Sequence, residues 1–153
     1  MNGASTSFLI GTEGVTTVTF FGTDNAGNVE TAKSVTIRID KTRPALSCKA
    51  NPDELWPPDN KLVRIDVSVK VSDSLSGSAG FTLLSVTSNQ PDSDSDDIKG
   101  WVIGTPSTSG ELRADRSGED HSRVYTLTYR GLDRADNTAT CTTTVTVPHD
   151  KGN

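Results

Sequence analysis

The sequence has little of what a helical or membrane-spanning protein needs. Only 32% of its 153 residues are hydrophobic, and no apolar run approaches the roughly 20 residues of a membrane-spanning helix. No long segment has the 3.6-residue spacing of an amphipathic helix. Thr, Ser and Val are common instead, and Thr and Val suit a pleated, half-buried strand. Because a sheet with one wet face needs apolar residues only at alternate positions, this composition predicts an all-β protein.

Charged and nucleophilic residues form no pattern that predicts chemistry. The net charge of −5 is spread along the chain without a basic stripe, which argues against a nucleic-acid partner. The two histidines, His121 and His149, lie in polar turn and tail segments and lack neighbours that would position a nucleophile. We therefore expect no enzymatic activity, and a small hydrolase is the least favoured alternative. The first residues lack the features of a signal peptide, so we expect any secretion signal to lie upstream.

The only two cysteines are far apart, at Cys48 and Cys141. One long-range disulfide is the simplest interpretation, and two separate buried thiols are the alternative. A disulfide implies an oxidising compartment, so we expect an extracellular protein, either secreted or at the cell surface. Each cysteine shares strand parity with apolar neighbours, which places both on the inward faces of their strands.

Turn residues at short intervals divide the chain into short predicted strands. The clearest is 61–72, where Val63, Ile65 and Val67 begin an alternation of apolar and polar residues. The predicted strands are 6–10, 15–22, 33–40, 45–50, 61–72, 81–89, 98–104, 110–115, 122–132 and 138–148.

One hairpin sequence occurs twice. The turn at 24–28, Asp-Asn-Ala-Gly-Asn, aligns with Asp-Arg-Ala-Asp-Asn at 133–137. Asp and Asn favour such turns because their side chains bond to the local backbone. In the flanking strands the alignment puts Val18 and Phe20 on Leu127 and Tyr129, and Val35 and Ile37 on Val145 and Val147.

The repeat predicts two domains, because its second copy closes a full set of strands and its first copy does not. Residues 43–153 are predicted to be a complete module, and residues 1–42 the C-terminal strands of a truncated one. The short junction around Pro44 favours a semi-rigid connection. An uncovered apolar face on residues 6–40 also predicts self-association.

Two long runs of sequence resemble known modules. The run TDNAGNVETAKSVTIRIDKTRP at 23–44 resembles the closing strands of bacterial immunoglobulin-like repeats. The motifs LWPPDNKLV, SVTSNQPDSDSDDI, LRADRSG, RVYTLTYRGLDRADNTATC and TVTVPHDKG resemble an immunoglobulin-like module found near the C-termini of bacterial extracellular multidomain proteins. The resemblance implies an antiparallel immunoglobulin-like β-sandwich. It also implies a non-catalytic accessory or spacer role beside neighbouring domains of the parent chain.

A loop rich in carboxylates is a candidate cation site. Asp92, Asp94, Asp96 and Asp97 lie close together, and Asp73 is a candidate ligand from another loop. Carboxylates at alternate positions can converge on a hard cation, although the Gly and distant Glu of an EF-hand are absent. The alternatives are a weak structural Ca²⁺ site and a solvated acidic loop, and no other cofactor is expected.

The tryptophans carry the alternative function, a carbohydrate-binding module that targets an attached enzyme to polysaccharide. Planar rings stack on the apolar faces of sugars, and Trp101 and Trp56 are the candidates. We expect Trp56 to pack under the adjacent proline turn, whereas both faces of the strand around Trp101 are apolar. Tyr125 and Tyr129 share the parity of Leu127 and are predicted to lie in the core.

Overall fold

The computed structural model describes residues 5–90, 96–117 and 121–150, and these form an all-β protein. Within those ranges no helix is long and apolar enough to cross a membrane. The chain separates into two compact units, Met1–Thr42 (unit 1) and Arg43–Asn153 (unit 2).

Unit 1 contains one antiparallel hairpin. Its strands are β1 (Gly14–Phe20) and β2 (Lys33–Ile39), with Val18 paired directly to Val35. The prediction of a strand at 6–10 is wrong, because these residues pair with no other strand within the described part of unit 1.

Unit 2 contains two antiparallel sheets. Their strands are β3 (Ala45–Asn51), β4 (Leu62–Ser72), β5 (Ser78–Ser88), β6 (Ile98–Lys99), β7 (Ser109–Arg113), β8 (Arg123–Asp133) and β9 (Thr138–Val147). The first sheet has the order β3-β4-β7-β6 and the second the order β5-β8-β9. Of the predicted strand 98–104 only Ile98–Lys99 is a strand. Gly100 and Gly104 have positive φ angles of 75° and 82°, which turn the chain out of the sheet.

The sheets bury one face each, as the alternating pattern predicts. In β4, Ile65 and Val67 are buried while Arg64 and Asp66 are exposed. The core draws on both sheets, with Ala50, Ile65, Val67 and Leu112 from the first and Leu83, Tyr125, Leu127, Tyr129, Val145 and Val147 from the second.

The prediction that the two tyrosines are core residues is confirmed. Both Tyr125 and Tyr129 are fully buried, and their hydroxyls donate to the carbonyls of Arg113 (2.9 Å) and Ser107 (3.1 Å). Burial raises the pKa of Tyr129 to about 12. A buried hydroxyl needs such a partner, because desolvation without one is costly.

The beginning of unit 2 contacts both sheets. β3 pairs with β4 as far as Asn51, and the chain then runs beside β9. There the amide of Leu55 donates to the carbonyl of Thr146 (2.8 Å), and the amide of Thr146 donates to the carbonyl of Asp53 (2.9 Å). The segment from β3 to Leu55 therefore contacts both sheets and covers one edge of the sandwich.

A disulfide between Cys48 and Cys141 confirms the predicted bridge. It joins β3 of the first sheet to β9 of the second, with the two Cα atoms 6.1 Å apart. The half-cystines are separated by 93 residues, so the bridge encloses most of unit 2.

Both copies of the repeated turn have the same hydrogen bonds. Asp24 Oδ1 accepts from the amides of Ala26 and Asn28, and Asp24 Oδ2 accepts from the side-chain amide of Asn28. Asp133 makes the corresponding bonds with Ala135 and Asn137. The Asn28 side chain and then its backbone amide hold the pKa of Asp24 below its ordinary value. The fourth position has a positive φ in each turn, 86° at Gly27 and 65° at Asp136.

The strand pairing corrects the alignment of the second strands. In unit 1 the register places Val35 opposite Val18, whereas in unit 2 Thr143 lies opposite Leu127. Val35 and Ile37 therefore correspond to Thr143 and Val145, two residues nearer the turn than the sequence alignment indicates. A bulge in unit 1 accounts for one of these two residues, because three residues lie between Val29 and Lys33 but only two between Phe20 and Thr23.

We predict that removing the disulfide by replacing both Cys48 and Cys141 with Ala lowers the free energy of unfolding of unit 2. The chain-entropy model gives a loss of roughly 4–5 kcal/mol for a loop of this size. Urea denaturation of the variant beside the oxidised chain measures it. A free energy within about 1 kcal/mol of the oxidised protein would contradict the prediction, since that is the scale of an ordinary single substitution.

Candidate functional site

The carboxylate of Asp97 lies between two arginines in the interior of unit 2. Asp97 is fully buried, with Oδ1 2.7 Å from Nε of Arg113 and Oδ2 2.8 Å from Nη2 of Arg123. Arg113 ends β7 in the first sheet, and Arg123 begins β8 in the second. The carboxylate therefore connects the two sheets through a charge-assisted hydrogen bond from Arg113 and a close ion pair with Arg123.

Arg123 is itself held in place by further neighbours. It is almost completely buried, its Nε donates to Ser88 Oγ (3.0 Å), and its guanidinium lies 4.9 Å from the centre of the Tyr125 ring. A cation over an aromatic face is attracted by the ring quadrupole. This cluster of Asp97, Arg113, Arg123, Ser88 and Tyr125 is called the buried ion cluster below.

The contacts of Asp97 and Asp96 bear on whether the acidic loop can bind Ca²⁺. Both oxygens of Asp97 face arginines, and the exposed Asp96 contacts Lys99 at 3.1 Å. Asp92 and Asp94 lie outside the described residues, so a Ca²⁺ site that uses them stays a prediction. Asp97 belongs to a cluster whose positive charges already neutralise it.

Asp73 lies far from Asp97, contrary to the expectation that the two would contribute to one site. Arg113, which contacts Asp97, pairs with Leu62 at the start of β4, whereas Asp73 follows the end of β4. Eleven residues of strand separate the two ends, roughly 35 Å at about 3.3 Å per residue. One cation therefore cannot bind both Asp73 and Asp97.

Asp73 has a structural role at its own end of unit 2. Its Oδ1 accepts from the amides of Leu75, Ser76 and Gly77, at 2.9, 2.8 and 3.1 Å. The amide of Gly77 contributes most to holding the pKa of Asp73 below its ordinary value. An oxygen of Asp73 also lies within 4.8 Å of one of Asp133, which is buried and caps the repeated turn. Both carboxylates thus organise turns.

Trp56 lines an open cleft of about 450 Å³ on unit 2. Against the expectation that it packs under the adjacent proline turn, 43% of its surface is exposed. The cleft is also lined by charged residues of both signs, Glu54, Asp59, Lys61 and Arg64.

The backbone on both sides of Trp56 is fixed. On one side Leu55 is buried and its amide bonds to the carbonyl of Thr146. On the other side the amide of Asn60 donates to the carbonyl of Ala114, and the amide of Ala114 donates to the carbonyl of Lys61. An exposed aromatic ring is therefore presented from a rigid frame, which lowers the entropy cost of binding.

The Trp101 ring packs against β7 and the hydrophobic core. Its ring covers Gly110 of β7 so closely that a Cβ atom at Gly110 would lie 2.4 Å from the ring. The ring also packs against the hydrophobic core. The two candidate tryptophans therefore differ, since Trp56 presents surface to solvent and Trp101 fills a site that requires glycine.

No family model, curated protein or solved structure matches this chain. Any function proposed for the chain therefore depends on the geometry of the candidate sites.

One pattern in the sequence indicates that charged groups are buried in unit 2. Arg123 and Asp133 share the strand parity of Leu127, so the alternation puts charged residues on the inward face of β8. A charge at an inward position requires a buried partner or a polar cap. The partner of Arg123 could not be found from parity, because Asp97 lies outside the strands and meets it only through the packing of the two sheets.

We predict that Asp97→Ala destabilises unit 2 by about 3–5 kcal/mol, because it leaves two arginines in and near the core without their counter-charge. Urea denaturation followed by tryptophan fluorescence measures the loss. Asp96→Ala is the matched control, and the removal of its exposed contact with Lys99 should cost about 1 kcal/mol or less. Equal effects of the two substitutions would contradict the assignment of the charge pair to the core.

Proposed function

We propose that the chain is a non-catalytic, immunoglobulin-like spacer from an extracellular multidomain protein. The observation that carries the proposal is the strand order of unit 2 together with the disulfide between its first and last strands.

The strand order supports an immunoglobulin-like module. In the constant-type immunoglobulin sandwich, seven strands named A to G form the sheets ABED and CFG. If β3 to β9 take those names in chain order, the two sheets of unit 2 have that arrangement. The disulfide position differs from antibody domains, where strands B and F are bridged, because here it joins the strands at positions A and G.

The disulfide also supports an extracellular location, since such bonds persist in oxidising compartments. Its position suits a spacer that is pulled at its two ends. Cys48 follows the start of unit 2 closely, and Cys141 lies near its end. Tension applied to the ends passes through the covalent bridge, so the residues between the half-cystines cannot be extended. A module of this kind keeps its length under load.

Single-molecule extension of the full chain, held at both ends, tests the spacer proposal. Unfolding of unit 2 in the oxidised protein should release only the segments outside the bridge. Reduction should add the 93-residue separation to the released length, roughly 300 Å at about 3.5 Å per residue. The double Cys→Ala variant, tested without reductant, should match the reduced protein. Equal lengths for the oxidised and reduced proteins would exclude a load path through the disulfide.

The exposure of Trp56 favours a second candidate function, carbohydrate binding that targets an attached enzyme to polysaccharide. A ring held on a rigid frame can stack on the apolar face of a pyranose. Carboxylates and amines from Glu54, Asp59 and Lys61 line the same cleft and can bond to sugar hydroxyls. The cleft volume of about 450 Å³ is within the usual range of small-ligand sites, roughly 300–1,000 Å³.

Tryptophan fluorescence tests the glycan candidate, with cellohexaose and chitohexaose as probes because their equatorial hydroxyls leave flat apolar faces. We expect saturable quenching in Trp101→Phe, which retains Trp56. The matched variant Trp56→Ala, which retains Trp101, should show no change. Quenching that persists without Trp56, or no response to either sugar at millimolar concentration, would reject the cleft as a glycan site.

A further inference from the structure

Unit 1 has an apolar groove of about 540 Å³ between its hairpin and the segment that precedes it. The residues that line it are Thr6, Phe8, Ile10, Val18, Phe20, Val35 and Ile37. The three from the preceding segment alternate along the chain, as residues of an extended segment do when they face one side. The floor of the groove is therefore formed by apolar residues of β1 and β2, and residues 6–10 form one wall.

Large apolar side chains in the groove are exposed to solvent within unit 1. Phe8 is 65% exposed, Phe20 is 50% exposed, and Val35 is exposed to a similar degree. Contiguous exposed apolar surface of this kind marks an interaction site more often than isolated exposed residues do.

The repeated hairpin shows what covers the equivalent face in unit 2. By strand register, Val18 and Val35 correspond to Leu127 and Thr143. Leu127 is completely buried, in one cluster with residues of the opposite sheet. The opposite sheet contributes Ile65 and Val67 of β4 and Leu112 of β7 to that cluster.

The segment 6–10 corresponds to β7 in chain order, because it is the extended segment that precedes β1 as β7 precedes β8. In unit 2, β7 is the strand immediately before β8, and its alternate residues Gly110 and Leu112 are buried. In unit 1, Phe8 and Ile10 come immediately before β1 and face the groove. β7 pairs with β4, whereas within residues 5–42 no strand pairs with the segment 6–10.

We infer that the groove of unit 1 binds an extended polypeptide segment of the β4 type, with aliphatic side chains at every second residue. Such a segment would pair with residues 6–10 and place its aliphatic side chains on Val18, Phe20 and Val35. Its aliphatic side chains would cover the apolar face of unit 1, as Ile65 and Val67 help to cover the equivalent face of unit 2. This inference concerns unit 1 and does not depend on the proposed function of unit 2.

A second copy of the chain fits the groove less well than an extended strand. The strands β1 and β2 have seven residues each, so with the wall of residues 6–10 the face covers on the order of 300 Å². Two such faces bury roughly 600 Å², below the approximately 1,200 Å² of a stable interface. A strand inserted into the groove gains main-chain hydrogen bonds as well as apolar contacts.

Fluorescence anisotropy of a labelled peptide tests the inference on the full chain. The probe is residues 61–73 of this protein, which include β4, and the control peptide has Asp in place of Ile65 and Val67. We expect saturable binding of the probe and at least tenfold weaker binding of the control peptide. Binding should also slow amide hydrogen exchange in β1.

Two matched protein variants locate the binding. Phe20→Asp places a charge in the groove and should weaken binding at least tenfold. Phe21→Asp removes a neighbouring aromatic that is 62% exposed and does not line the groove, so it should leave binding unchanged. Val35→Asp provides a second groove variant, and circular dichroism checks that each variant is folded.

Three outcomes would overturn the inference. The first is no saturable binding by the wild-type chain, and the second is equal binding by Phe20→Asp and the wild type. The third is a concentration-dependent dimer in analytical ultracentrifugation that Phe20→Asp abolishes, because a second copy would then be the occupant.

Discussion

The structure of unit 2 depends on one constraint, that the apolar face of each sheet is stable only when another sheet covers it. In unit 2 the faces of β3-β4-β7-β6 and β5-β8-β9 cover each other, and Leu83, Leu127 and Val145 are removed from water completely. Burial at roughly 25 cal/mol per Å² of apolar surface stabilises this arrangement. In unit 1 the hairpin is built from a similar sequence with the same turn, but its groove remains open. Within the described residues, the two units thus show the same hairpin design with a covering sheet in unit 2 and without one in unit 1.

The buried ion cluster adds specificity to this packing. Apolar contacts alone would tolerate small shifts of one sheet over the other, whereas Asp97 contacts Arg113 and Arg123 from different sheets. A buried charge pair gives little net stability compared with apolar residues of the same size, because of desolvation. Its value here is positional, since any shift that separates the groups leaves a buried charge unpaired. The same contacts attach the end of the acidic loop to the core.

The sequence predicted the features that depend on local pattern and failed where packing decides. The alternation in β4, the repeated Asp turns and the inward parity of Cys48 and Cys141 identified the β-structure and the disulfide. Residues 6–10 have a strand pattern but pair with no strand among the described residues, and pairing is not visible in a local pattern. The alternation also could not reveal the bulge in unit 1, which adds one residue to the strand that contains Val35. The role of Asp97 could not be predicted, because two arginines distant in sequence determine it.

The position of the disulfide determines how tension on the ends of unit 2 would affect the cleft around Trp56. Trp56 lies between the half-cystines, so the covalent bridge shields its own segment from tension. The frame that holds it is not fully shielded, because Thr146 follows Cys141 and bonds to Asp53 and Leu55. Tension that peels the end of β9 from β8 would also break these bonds and loosen one side of the cleft, while the core between the half-cystines stays folded. If both proposed functions hold, the geometry of the cleft therefore responds to load.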